Sequence, residues 1–138
     1  PVVLADEEAG IVAVVHAGWR GLTADIVPLT VARMVALGAS ATRLKVGVGP
    51  SLGVECAKFS DPLVEIPAQY HWAVRPAYVV DLWAILERQL GEAGVAAERV
   101  EWMRVCTACS PEWFSWRRDR DGRRFGTFIE LTSNEHAR

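Results

Sequence analysis

The sequence predicts a mixed α/β fold with one hydrophobic core. Short apolar runs rich in β-formers alternate with two longer segments of helical spacing, and turn residues separate them. Several runs follow one another with no helix between them, which is too antiparallel for a simple doubly wound sheet. With 138 residues, of which 51% are hydrophobic, the chain can bury a core of single-domain size.

The N-terminal part predicts a β-hairpin. Residues 1–5 and 11–15 are apolar strands, and the polar stretch DEEAG joins them. Gly10 supplies the backbone conformation that a tight turn requires. Both strands are apolar at consecutive positions, so we expect both of their faces to be covered.

A helix and a third strand are predicted next. Apolar side chains recur at helical spacing over residues 23–37, and Gly38 is a natural C-cap. Pro28 lies early in this segment, so the first turn is irregular or the helix begins there. Residues 43–50 alternate as a strand and end at Gly-Pro.

The middle of the chain is irregular before it becomes regular again. Residues 51–76 contain three prolines and are long for a connection, which indicates short helical turns or a functional loop. Residues 77–82 are predicted as a strand. Residues 81–95 are predicted as a helix with Asp81 as its N-cap.

The C-terminal third is predicted to contain three strands. They cover residues 99–105, 112–119 and 123–131. The last two face each other across a turn at Asp121-Gly122, a strong hairpin signal. The basic run RRDRDGRR in this hairpin is a solvated turn or, alternatively, an anion site.

Charge and composition exclude some partners. A formal net charge of −2 argues against binding nucleic acid by bulk electrostatics. No apolar stretch has the length of a membrane helix, and the N-terminus lacks the pattern of a signal peptide. Three cysteines do not form a disulfide framework, so we expect a reducing cytoplasm.

The stretch HAGWRG places His16 directly after the second predicted strand. A neutral imidazole there can ligate zinc or copper; the alternative is a corner histidine bonded to a backbone carbonyl. Gly18 and Gly21 allow close approach, and Arg20 adds a cation. His16 is therefore a candidate metal ligand and catalytic residue, with Arg20 a candidate for substrate binding.

Arg117 and Arg118 are the other candidates for binding an anion. A guanidinium suits phosphate or carboxylate, and an exposed strand arginine is the alternative. Because both residues fall in a predicted strand, their side chains point to opposite faces. At most one of them is expected to face a given pocket.

The stretch CTAC is a C-x-x-C motif at Cys106 and Cys109. A structural zinc site needs four ligands, and neither Cys56 nor the three histidines, His136 among them, stand at a recognisable spacing. A thioredoxin-type motif opens a helix, whereas strands are predicted on both sides here. The motif alone is weak evidence for a site.

Four stretches occur in an order that resembles a known family: HAGWRGL, GVGPSLGVEC, VDLW and CTACSPEWFSWRRDRDGRRFG. The chain resembles the YfiH-like family, also called the multicopper polyphenol oxidase (laccase) type and described as purine nucleoside phosphorylases. The resemblance extends from residue 1 to about residue 131. It implies a four-layer α/β/β/α sandwich with mixed sheets, of which residues 1–138 are expected to be the C-terminal part, N-terminally truncated.

The resemblance also implies a metal site, usually assigned to zinc, with two histidines and one cysteine. His16 takes the place of one ligand. The others belong to the motifs ADC-x-P and QVHG, which lie upstream of Pro1. Inside the chain, Ala57 and Lys58 replace the family's Tyr and Glu, and Leu86 replaces a common Asn, which affects the expected substrate.

The activity that the resemblance implies is phosphorolysis of adenosine, inosine or guanosine, with a possible adenosine deaminase side activity. Arg20, Arg117 or Arg118 then bind the phosphate. Two alternatives stay open: copper-dependent oxidation of phenols, although three histidines are too few for a multicopper site, and a metal-free truncated domain that acts by association. The expected partner for the apolar strands is an upstream segment of the same protein or a second copy.

Overall fold

The computed structural model describes residues 1–132 and contains one main sheet with helices on one face. The strands are β1 (Val2–Asp6), β2 (Ile11–Val15), β3 (Lys45–Val48), β4 (Val74–Arg75), β5 (Val79–Val80) and β6 (Val100–Trp102). The helices are α1 (Trp19–Thr23), α2 (Ile26–Ala36), α3 (Pro62–Glu65), α4 (Leu82–Glu92) and α5 (Trp116–Asp119). Within the described residues, no helix is both long and apolar enough to span a membrane.

The main sheet is mixed, in the order β2-β1-β3-β6. β1 pairs antiparallel with β2 and β3, as the predicted hairpin requires. β3 pairs in parallel with β6, with Val46 opposite Val100. The C-terminal ends of β3 and β6 therefore lie at the same edge of the sheet, and the loops that follow them meet there. β4 and β5 form a separate two-stranded sheet.

One face of the sheet carries the core. Val2 and Leu4 of β1 are buried, as are Val46 and Val48 of β3. They pack with apolar side chains of α2 and α4, which are Val27, Val31, Met34, Leu82, Ile85, Leu86 and Leu90. The apolar faces of these amphipathic helices pack on one face of the sheet, and this packing stabilises the fold.

The opposite face of the sheet is open. Val3 on β1 is only half-buried, Val14 on β2 is 50% exposed, and Glu101 on β6 is exposed. A groove of about 460 Å³ runs between this face and residues 125–128. Residues 1–132 therefore leave this face open, as expected if an upstream segment or a second copy covers it in the whole protein.

The helix predicted over residues 23–37 is α2, which begins at Ile26, and the short helix α1 before it was not predicted. They are separated at Asp25, which adopts a left-handed conformation with φ of 57°. Tyr70 donates a hydrogen bond to the Asp25 carboxylate, and the buried Gln89 donates to the same oxygen at 3.1 Å. These long-range bonds stabilise a break that helical spacing does not reveal. Gly38, with φ of 113°, follows α2 as predicted.

The long segment predicted to contain short helical turns does contain them. They are α3 and two 3-10 helices, Val54–Cys56 and Ala68–Ala73. The strand predicted over residues 77–82 is only the two-residue β5. The α4 helix begins as predicted, with Asp81 accepting a hydrogen bond from the Ala84 amide at 3.0 Å.

The C-terminal third differs most from the prediction. Residues 112–119 are not a strand: they form turns and the short helix α5. Residues 123–131 pair with no strand in the part of the chain that is described, so the hairpin at Asp121-Gly122 is wrong. Alternation predicts which side chains are buried, but a strand also needs a neighbour to pair with.

Candidate functional site

His16 lies in the turn between β2 and α1, and its side chain is exposed. A side chain on Gly18 would place its Cβ 2.8 Å from the His16 Nε2, and one on Gly21 would stand 3.0 Å from the His16 carbonyl oxygen. The two glycines therefore make room for His16 itself. His16 directly follows β2, as predicted, but its side chain is exposed, whereas the sequence indicated a buried strand end.

Arg20 and Arg117 stand at the two ends of an aromatic pair. The Trp19 and Phe59 rings meet edge to face, with centroids 5.4 Å apart. The Arg20 guanidinium lies 4.4 Å from the Trp19 centroid, and the Arg117 guanidinium lies 5.9 Å from the Phe59 centroid. We call these four residues the Arg-aromatic cluster. It brings the start of α1, just after His16, together with a residue almost 100 positions later in the sequence.

Arg117 belongs to α5, and the sequence predicted a strand at this position. Its Nη1 donates a hydrogen bond to the carbonyl oxygen of Lys58, the residue before Phe59. The side chain is half-buried, so its other donors reach the surface beside the aromatic pair. This is an arrangement in which a guanidinium is oriented and still able to bind an anion.

Arg118, next in the helix, is used differently. Its Nη1 donates to the carbonyl oxygens of Thr107 and Ser110 at 3.0 and 2.9 Å, and its Nη2 donates to that of Trp113 at 2.7 Å. Asp119 pairs with the same guanidinium at 2.6 Å. The Arg118 guanidinium keeps the pKa of Asp119 below its ordinary value. Arg118 therefore uses its donors to hold the loop, which favours Arg20 and Arg117 as free cations.

The three cysteines form a cluster that the sequence did not reveal. Their Sγ atoms all lie within 4.8 Å of one another, and those of Cys56 and Cys109 are 3.4 Å apart. Cys56 follows β3 and Cys106 follows β6, so the parallel pairing of these strands brings them together. The sequence would have revealed this cluster only if the parallel pairing of β3 with β6 had been predicted.

The thiols differ in acidity. A hydrogen bond with Cys109, then burial, raises the pKa of Cys56 to about 12. Burial also opposes ionisation of Cys106, but hydrogen bonds from the backbone of Gly53 and from Cys109 outweigh it, and the pKa of Cys106 lies below its ordinary value. Of these two thiols, Cys106 therefore ionises more readily than Cys56.

Comparison with known proteins decides the family. A sequence model of the family described as multi-copper polyphenol oxidoreductase laccase matches residues 1–133. The chain belongs to this family. The YfiH-like resemblance predicted from the sequence motifs is therefore confirmed.

Individual relatives of this laccase-like family agree. An adenosine deaminase, RL5, from an unknown prokaryotic organism is 35% identical over 128 residues, which are 86% of this chain and 49% of that protein. A purine nucleoside phosphorylase of Xylella fastidiosa is 35% identical over 139 aligned positions, 92% of this chain and 51% of that protein. The chain thus spans about half the length of these curated relatives.

A solved structure confirms the fold class. The crystal structure of YlmD from Geobacillus stearothermophilus superposes with a TM-score of 0.75 and 29% identity. The match covers 87% of this chain and 48% of that one. The mixed α/β fold of the YfiH type is therefore correct, and residues 1–132 supply one helical layer and one main sheet of it.

Proposed function

We propose that the whole protein cleaves the N-glycosidic bond of purine nucleosides with phosphate as the acceptor. The observation that carries the proposal is the Arg-aromatic cluster, which places the Arg20 and Arg117 guanidinium groups beside the rings of Trp19 and Phe59, with Trp19 at the start of α1, three residues after His16. Its support from relatives is the purine nucleoside phosphorylase of Xylella fastidiosa, at 35% identity. Adenosine, inosine and guanosine are the substrates we expect.

The reaction requires one site that binds and orients the phosphate and another that binds the purine base. A phosphate oxygen forms a bond to C1′ of the ribose while the bond from C1′ to the purine N9 breaks, and the base leaves with the electron pair. The ribose gains positive charge on the way, so the phosphate must be held in line with the breaking bond. Arg20 and Arg117 supply charge-assisted donors for it, and the partly exposed ring of Trp19 suits a flat base, while Phe59 supports that ring from the core.

The described residues do not contain a complete ligand set for the metal that the family resemblance implies. In residues 1–132 the one group of three metal-capable side chains is the cysteine cluster, which does not include His16. A single imidazole does not hold zinc against water. We propose that His16 contributes one ligand to a zinc ion, or alternatively copper, whose other ligands come from outside these residues. The chemistry assigned to the arginines does not depend on that ion.

Adenosine deamination is the second candidate. One curated relative, RL5, is named an adenosine deaminase. Copper-dependent oxidation of phenols has less support, because the His71 ring is already bonded to the Ile66 carbonyl oxygen at 2.8 Å and His136 lies outside the described residues. We keep the cytoplasm as the proposed compartment, because the three cysteines are free thiols.

The decisive experiment measures products from inosine and adenosine with the whole protein, with and without phosphate. Phosphorolysis predicts release of the free base and a sugar phosphate in equal amounts, and only when phosphate is present. Ammonia released from adenosine at the same rate without phosphate would favour deamination. Base release that does not depend on phosphate would contradict the proposal.

A further inference from the structure

We propose that Cys56, Cys106 and Cys109 bind one thiophilic metal ion, zinc or copper(I), that ties two loops together beside the Arg-aromatic cluster. The three Sγ atoms all lie within 4.8 Å of one another. Around zinc, with a Zn–S distance of about 2.3 Å, tetrahedral sulfur ligands stand about 3.8 Å apart. The cluster therefore has the dimensions of a thiolate site and needs only small side-chain movements to close on an ion.

The backbone already has the shape of a ligand turn. The amides of Cys109 and Ser110 both donate to the carbonyl oxygen of Cys106, at 3.2 and 3.0 Å. This tight C-x-x-C turn directs the thiols of Cys106 and Cys109 to the same place. The two-residue spacing between them is typical of one half of a zinc site.

The third cysteine comes from the other loop, which approaches very closely. A Cβ on Gly53 would stand 2.9 Å from the Cys106 Cβ, so a side chain cannot be accommodated here without a shift. The Gly53 amide donates to the Cys106 Sγ at 3.2 Å. Such an amide hydrogen bond to sulfur stabilises and orients a thiolate that binds a metal, without itself contacting the metal.

Charge and exposure fit an ion with one open position. Binding releases the thiol protons, so three thiolates around a divalent ion carry one net negative charge. The Arg118 guanidinium, bonded to the carbonyl oxygens of Thr107 and Ser110, places a cation next to the same turn. Cys109 is exposed, so water can take the fourth position.

The position of the ion gives it a role. One loop, residues 49–59, ends at Phe59, and the other contains Cys106 and leads to Arg117. A bond through the metal would fix the distance between these loops. The site is separate from the ion proposed for His16, because the three clustered ligands are Cys56, Cys106 and Cys109 and do not include His16.

The test measures metal content in the whole protein, purified under reducing conditions and supplied with zinc chloride. We expect Cys56→Ser, Cys106→Ser and Cys109→Ser each to lose one equivalent of zinc or copper relative to wild type. Ser110→Ala is the matched control in the same turn and should keep it, and His16→Ala should keep this equivalent too. Elemental analysis distinguishes zinc from copper.

A serine variant that fails to fold would also lose metal, so a second measurement uses the wild-type protein only. In the wild type, these three thiols should react slowly with a thiol reagent when metal is bound and rapidly after a chelator removes it. Cobalt should give thiolate charge-transfer absorption. Unchanged metal content in all three variants, thiols equally reactive with and without metal, or the mass deficit of a disulfide in the reduced preparation would each overturn the proposal.

Discussion

The body of the molecule and its C-terminal arm are held together by different forces. We define the body as residues 1–102 and the arm as residues 103–132. Every buried hydrophobic side chain of the core belongs to the body. The buried side chains of the arm, within the described residues, are the polar Thr107 and Ser115. Burial of apolar surface stabilises the body, whereas hydrogen bonds and arginine contacts position the arm.

The residues of the two proposed sites are divided between these regions. Arg117, Cys106 and Cys109 lie in the arm, while His16 and the Phe59 ring that Arg117 approaches lie in the body. The arm also exposes large apolar side chains, among them Phe128 at 92%. A segment with little core of its own depends on specific contacts for its position, and such segments commonly carry binding residues.

The largest loss of stability is expected in the body. Leu4→Ala removes a side chain that is completely buried between the sheet and the helices, and should lower the free energy of unfolding by roughly 2–5 kcal/mol. Val3→Ala, on the opposite face of the same strand, is the matched control and should cost less than half as much. Urea denaturation measures both. Equal losses would mean that the open face is covered as well.

The open sheet face should make the isolated chain associate. Residues 1–138 alone are expected to form oligomers or bind a hydrophobic dye, because Val14 and the groove beside Val3 expose apolar surface. In the whole protein we propose that a further segment of the same protein, or a second copy, covers this face. Val14→Lys should reduce the association in sedimentation experiments. A monomeric, cooperatively unfolding chain would instead favour a minimal domain that is complete by itself.

Acid should weaken the body through one buried carboxylate. Asp6 accepts hydrogen bonds from the Ser40 amide at 2.8 Å and from Arg43, and these keep the pKa of Asp6 well below its ordinary value. The unfolded chain takes up a proton near pH 3.9, before the folded protein does, so this stabilisation is present above about pH 4 and is lost as the pH falls further.

The variant Asp6→Asn lacks this proton linkage. Its deficit in unfolding free energy relative to wild type should therefore be largest near neutral pH and shrink below about pH 4. Urea unfolding at several pH values measures the deficit. A deficit that stays constant from neutral pH to about pH 3 would contradict the assigned role of the Asp6 carboxylate.

A smaller and local effect is expected in the arm. Arg118→Ala removes the guanidinium that donates to the carbonyl oxygens of Thr107, Ser110 and Trp113, and only that of Ser110 keeps a second donor, the Trp113 amide. Hydrogen exchange and proteolysis should increase in residues 103–119 while the urea midpoint changes little. Arg33→Ala, an exposed arginine on α2 in the body, is the control. A global loss as large as that of Leu4→Ala would show that the arm is part of the cooperative core.

The same division explains what the sequence could predict. Gly38 and Asp81 end and begin helices through local chemistry, and both were predicted correctly. The break at Asp25 depends on Tyr70 and Gln89, and the cysteine cluster depends on the pairing of two strands distant in sequence. Contacts of this range leave no periodic pattern in the residues themselves.

The predicted strands of the arm failed for a related reason. Residues 124–130 do alternate between more and less exposed side chains, as the sequence pattern indicated. No neighbouring strand among the described residues pairs with them. Residue type alone was enough to choose His16 and Arg117 as candidate site residues. Which side chains surround them depends on how the loops fold, and the sequence pattern does not show this.

The central claim is that Arg117 binds substrate while its neighbour Arg118 holds the loop. The most direct test is the phosphate dependence of nucleoside cleavage by the whole protein, compared for Arg117→Ala, Arg118→Ala and the distant control Arg88→Ala. We expect Arg117→Ala to raise the KM for phosphate about tenfold or more, as loss of a charge-assisted contact does, and to change the exchange pattern of the arm less than Arg118→Ala does, because Arg117 makes one hydrogen bond and Arg118 makes several. Arg118→Ala should change that pattern and have a smaller effect on KM. An Arg117→Ala protein with wild-type KM for phosphate would contradict the account.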